Sequence, residues 1–230
     1  NIDFLIAGLV FLIFLLIHFQ RYKKLNNISG RTFWFLIIAG IFDIIFDLLS
    51  SILLVKSELQ TNREDIAYIK ELVELEQKGA LYLLEYKGRI QEADPDSLQK
   101  YDRLPFQSIS FNAMYDALEM LKASGLIPKI KNKELTVQIL TAYAIVRNSQ
   151  SAFDSYGNIK QRCLEELMKV PDVKKRMNST NYIDWNFYFK YPEGVALIQQ
   201  IPQIQSTDIY QNHLKAIDKV IAAIDEEYNQ

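Results

Sequence analysis

Two long, almost wholly apolar runs near the N-terminus constrain this chain more than any other feature. The first is Phe4 to Phe19, and the second is Phe33 to Val55. A helix that is apolar on every face has no solvated side and belongs in a bilayer or a large core. As helices the runs extend about 24 Å and about 34 Å, against a hydrocarbon layer of about 30 Å. The spacing predicts two membrane spans, near residues 4–20 and 33–55. Residues 1–56 are then a transmembrane helical hairpin, with Tyr22 and Trp34 where an interfacial aromatic belt falls. A signal peptide is the competing reading of the first run. The run is long for one, no small-x-small cleavage site follows, and a second run comes at once.

Between the runs lies QRYKKLNNISGRT, which carries Arg21, Lys23, Lys24 and Arg31 and no acid. Asn26, Asn27, Ser29 and Gly30 favour a turn. The positive-inside rule places this basic loop in the cytoplasm and both chain ends outside. The soluble part is then extracytoplasmic.

Asp43 and Asp47 stand inside the second run, four residues apart and so on one helix face. Carboxylates at bilayer depth are costly, and they mark a pathway, a partner or a water-filled cavity. Two neighbouring charges repel, which favours keeping one protonated. The pair reads as a cation or proton site in an oligomeric pore, as a binding site for a basic partner span, or as a contact with the hairpin partner or an assembly interface.

Residues 57–230 have the composition of an ordinary soluble domain, long enough to bury a core. Of 26 basic and 28 acidic residues in the chain, four and three precede Lys56, so the remainder is slightly acidic. No basic stripe with interleaved aromatics appears, and no nucleic acid is expected as a partner. Cys163 is the sole cysteine, which excludes an internal disulfide and a multi-cysteine zinc site. With His18 and His213 the only histidines, no metal and no cofactor is expected. Phosphate-loop, dinucleotide, nucleophile-elbow and H-E-x-x-H motifs are missing, so no enzyme activity and no catalytic residue is expected. A Cys163–His213 pair is formally open, but a thiol inside a long helix is more often structural. Glu64-Asp65, Glu165-Glu166 and Asp225-Glu226-Glu227 read as solvated helix faces, and Asn178-Ser179-Thr180 matches a glycosylation pattern that matters only in a secretory pathway.

The pattern predicts an all-α fold, a soluble bundle of long helices behind the hairpin. The second span continues without proline to about Gln91, with Gly79 and Gly88 as weak points. Ile52, Leu59, Ile66, Val73 and Ala80 recur every seven residues, which permits a coiled-coil seam between protomers. Asn62 and Glu76 fall on the other seam position and favour packing within the chain's own bundle. Residues 92–109 read as a loop. Ser110 offers an N-cap for a helix that Gly125 and Pro128 end. A long helix follows from Asn132 or Lys133 to about Val170, where Pro171 stops it, with Gly157 marking a kink. A final helix covers about Thr207 to Tyr228. Residues 171–192 are rich in aromatics. Phe187, Tyr188 and Phe189 permit a short extended segment, and Tyr182, Trp185, Tyr188 and Tyr191 form either an aromatic binding surface or packing across the bundle.

Phe111 to Ala144 carries Tyr115, Leu118, Leu121, Lys122, Ser124 and Gly125, then Ile130, Asn132, Lys133, Glu134 and Leu135. This L-K-x-S-G … I-K-N-K-E-L arrangement, with VKSELQTNREDI after the span, resembles a family of uncharacterised bacterial membrane-anchored proteins over about residues 50–170. The resemblance implies a transmembrane segment followed by a non-enzymatic helical domain, outside the cytoplasm of a bacterial inner membrane. It supplies no catalytic residues. The chain departs from it in having a hairpin for a single span, and its aromatic C-terminal part has no counterpart. The expected function is a membrane-anchored binding or sensing module, or a subunit of a membrane complex. The expected partners are the lipid bilayer and a homo-oligomer or membrane-complex partner. The alternative is an oligomeric, ion-conducting or membrane-permeabilising effector gated by its soluble domain.

Overall fold

A computed structural model describes residues 30–108, 110–179 and 183–228. All elements among these residues are helical. The first apolar run, the loop residues Arg21, Lys23 and Lys24, and Tyr182 lie outside the described residues. The chain divides into two compact units, Asn1–Ser51 and Ile52–Gln230.

Helix α1, Gly30–Glu85, contributes to both units. It starts two residues before the end of the expected basic loop, which puts Arg31 in its first turn rather than in a loop. It is the one helix among the described residues long and apolar enough to cross a membrane. Its character changes along its length. In the first unit, Ile38, Ile45 and Phe46 are exposed, Phe46 by 70%. From Ile52 onward one stripe is buried without interruption: Ile52, Val55, Leu59, Asn62, Ile66, Ile69, Val73, Glu76, Ala80 and Leu83. These are both positions of the seven-residue repeat. The second unit covers the whole stripe itself, so none of it is left as a coiled-coil seam between protomers. Of the two readings of the repeat, packing within the chain's own bundle is the one observed, and the permitted coiled-coil seam is set aside.

Seven more α-helices complete the second unit: α2 Pro95–Tyr101, α3 Asp116–Ala123, α4 Lys133–Met168, α5 Pro171–Ser179, α6 Trp185–Tyr188, α7 Pro192–Gln200 and α8 Asp208–Tyr228. Short 3₁₀ turns lie at Ile90–Glu92, Leu104–Phe106, Ile127–Lys129 and Ile201–Gln203. Helix α4 is the spine and packs on α7 and α8. Tyr210, Leu214, Ile217, Val220 and Ile224 line the buried face of α8 at three- and four-residue spacing. Helix α8 runs antiparallel to α1, as two ion pairs seven residues apart on each helix record: Lys56 with Asp225 and Arg63 with Asp218, the latter at 2.9 Å.

Local chemistry sets most boundaries. Asn132 caps α4 by accepting the Leu135 N–H at 3.0 Å, and Asp94 caps α2 by accepting that of Ser97 at 2.9 Å. Gly125, at φ 67°, closes α3 in the left-handed conformation that a side chain would strain. Pro171 and Pro192 do more than stop helices. Each occupies the first position of the next one, where the missing N–H is no loss. Residues 95–101, expected as loop, are helical for the same reason. Gly79, in mid-helix, is a close approach: a Cβ there would sit 2.9 Å from the Tyr101 ring.

The α3 helix begins at Asp116, six residues after the expected cap at Ser110. A buried side chain intervenes. The Asn62 amide donates to the Met114 carbonyl and accepts its N–H, both at 2.8 Å, and so holds that residue out of the helix. Glu58 then receives the Ala117 N–H at 2.9 Å and supplies the N-terminal anion that Tyr115 cannot. The other Glu58 oxygen accepts from Tyr143 at 2.5 Å.

The aromatic stretch is core rather than strand. Trp185 and Tyr188 lie on α6 and are 1% and 2% exposed. The Trp185 indole donates to the Asp102 carbonyl at 3.2 Å and stacks on Phe106 at 5.4 Å between centroids. Tyr191 is half-buried and donates to Asp172 at 3.2 Å. An aromatic binding surface using Trp185 and Tyr188 is therefore corrected to interior packing.

Candidate functional site

Two apolar stripes each contain one misplaced charge. Glu76 sits on the buried stripe of α1, and Lys160 sits on that of α4, between Tyr156 and Leu167. Burying either alone would leave an uncompensated ion. The fold brings them together. Lys160 Nζ donates to Glu76 Oε1, to the Leu104 carbonyl at 3.0 Å and to the Gln107 carbonyl at 2.6 Å. All three ammonium protons have acceptors. Glu76 Oε2 accepts from Tyr156 at 2.5 Å. Burial lowers the Lys160 pKa, and Glu76 opposes that shift. Burial and the same carboxylate raise the Tyr156 hydroxyl well above its ordinary value.

This triad forms the floor of a cleft of about 460 Å³. Val73, Phe153 and Leu164 supply apolar wall. Phe106, Gln107, Ser108 and Ser110 line one side, where Lys160 holds the Gln107 carbonyl. Gln107, Ser108, Ser110, Asn158 and Gln161 carry neutral polar groups, and Asp154 is the remaining acid. The volume falls within the range of small-molecule sites.

The residues singled out from sequence lie elsewhere. Asp43 and Asp47 are one turn apart on α1, and Asp47 is exposed. Cys163 is a half-buried thiol whose pKa burial raises, which makes it a poorer nucleophile. His213 does not serve it. His213 Nδ1 lies 2.7 Å from Ser149 Oγ, and Ser149 stands 14 residues before Cys163 on α4, about 21 Å along the axis. The Ser149–His213 contact resembles a nucleophile and base. Ser149, however, is fully buried and donates back to the Ile145 carbonyl at 3.1 Å, so no substrate reaches it. Among the described residues no cluster of three or more His, Cys, Asp or Glu side chains is placed to hold a metal ion.

No family model, no curated protein and no solved structure matches this chain. The cleft therefore stands on its own chemistry. Sequence reading treated Glu76 as a flaw in a seam and passed over Lys160. The signal was present: opposite charges on the apolar stripes of two different helices. Their pairing across 84 residues was not.

Proposed function

We propose that this chain is a membrane-anchored, non-enzymatic binding or sensing module, or the corresponding subunit of a membrane complex, with the cleft as its recognition site. One observation carries this reading. The helix that bears the apolar stretch also supplies Val73 and Glu76 to the cleft, so one element carries both the membrane-span sequence and part of the cleft. The anchor is the two-span hairpin, with the domain on the extracytoplasmic face of a bacterial inner membrane. The likeness of residues 50–170 to bacterial membrane-anchored proteins supports this placement. Alkaline extraction of membranes tests the anchor: the chain stays in the pellet, and its release would end this reading. With Cys163→Ser and Gln99→Cys, an impermeant maleimide labels intact cells; labelling only after lysis reverses the topology.

Asp43 and Asp47 favour a second reading, an oligomeric conducting or permeabilising effector gated by the domain. Proteoliposomes separate the two. A module leaves them ion-tight. Flux that falls with Asp43→Asn and Asp47→Asn would replace the module with the effector.

A further inference from the structure

Gly157 is the feature of α4 that packing leaves unexplained. It lies inside a 36-residue helix, where glycine is the least favourable residue after proline. Its φ lies outside the left-handed region, so no left-handed turn requires it, and a Cβ built there meets nothing within 4 Å. Gly79, by contrast, makes room for the Tyr101 ring. Gly157 is half-buried and is one of the residues that line the cleft. Glycine leaves bare helix backbone facing that space, as sites do where a ligand must approach the main chain closely.

The charges of the cleft say what such a ligand is. Lys160 is spent on three acceptors, and Glu76 is neutralised by it. No cation is left for an anion. Asp154 is exposed, and a single solvated carboxylate holds a cation weakly. The groups still open are neutral. The side chains of Gln107, Ser108, Ser110 and Asn158 donate to and accept from no other described residue. Phe106 and Phe153 add apolar faces.

We infer that the cleft binds a small uncharged molecule rich in hydroxyl or amide groups, seated against the backbone at Gly157. This rests on the binding-module reading and names its ligand class.

The protein carries its own reporter. Trp34 and Trp185 are its two tryptophans, and Trp185 stacks on Phe106 of the cleft. The full-length Trp34→Phe protein in detergent is titrated with trehalose, N-acetylglucosamine and myo-inositol, and separately with sodium sulfate and choline, while Trp185 emission is read. The expected result is a saturable change with at least one neutral probe and none with sulfate or choline. Gly157→Leu, whose side chain enters open cleft, weakens that binding by about tenfold or more. Gly157→Ala melts no lower than the parent and shows the helix intact. Saturable binding of sulfate or choline alone, lost in Gly157→Leu, overturns the ligand class and keeps the module. Neutral binding unchanged in Gly157→Leu overturns the site. No saturable response to any probe overturns the cleft as a recognition site and the module reading with it.

Discussion

Lys160→Met tests the central claim about this fold, that α1 and α4 are locked by one buried ion pair. Removing one partner of such a pair leaves the other as an uncompensated buried charge, which destabilises by about 3–5 kcal/mol. Glu76 is 5% exposed, so water replaces little of what is lost. The Leu104 and Gln107 carbonyls also lose their donor, about 1 kcal/mol more. For a domain of this size each kcal/mol moves Tm by about 2–4 °C, so melting falls by roughly 8–24 °C. The triple variant Glu76→Leu, Tyr156→Phe, Lys160→Met removes both charges and the hydroxyl that bonds them. Apolar replacement of a whole buried pair is often neutral or stabilising, so the triple variant melts above Lys160→Met and within about 2 kcal/mol of the parent. Circular dichroism at 222 nm on the full chain in detergent reads both. Hydrogen exchange adds a local readout: amides near residues 104–107 exchange faster in Lys160→Met. If Lys160→Met melts within about 2 °C of the parent, or the triple variant melts no higher than the single one, the two helices are not locked by this pair.

Glu58→Ala removes the anion at the α3 N-terminus and the acceptor for Tyr143, and should destabilise by about 2–3 kcal/mol; Tyr143→Phe, which removes one of those bonds, should lower stability by about 1–2 kcal/mol in the same melts. Two glycine substitutions should move in opposite directions. Gly157→Ala raises stability by about 0.5–1 kcal/mol through helix propensity, whereas Gly79→Ala lowers it by about 1–3 kcal/mol because its methyl meets the Tyr101 ring; equal melting temperatures for the two would refute both packing assignments. Burial lowers the His213 pKa below its ordinary 6.5, so the unfolded chain takes up this proton first. Its contribution to stability is whole above pH 6.5 and is lost as pH falls through 6.5 toward the folded value, and His213→Gln should remove that part of the slope in denaturant titrations.

Much of the architecture is a matter of short-range chemistry, and the sequence alone determined it. The apolar stretch of α1, the cap at Asn132, the left-handed Gly125 and the amphipathic α8 depend on residues within a turn or two of each other, so each could be read directly. The seven-residue stripe from Ile52 to Leu83 was equally plain, but its partner was not. Spacing says that a face must be buried and is silent about what buries it. Asn62 and Glu76 looked like defects in that stripe, and only the tertiary structure showed them to be its most specific contacts. Asn62 holds Met114 outside α3 from 52 residues away, and Glu76 meets Lys160 at a separation of 84. The same limit misplaced the start of α3, whose capping carboxylate comes from Glu58 on another helix, and left Trp185 and Tyr188 open between surface and core. The cleft belongs wholly to this second class. Its floor, wall and rim come from α1, α4, Phe106, Gln107, Ser108 and Ser110, and nothing local requires them to meet. A buried charge declares that it needs a partner. Which partner it finds is decided by how the helices pack.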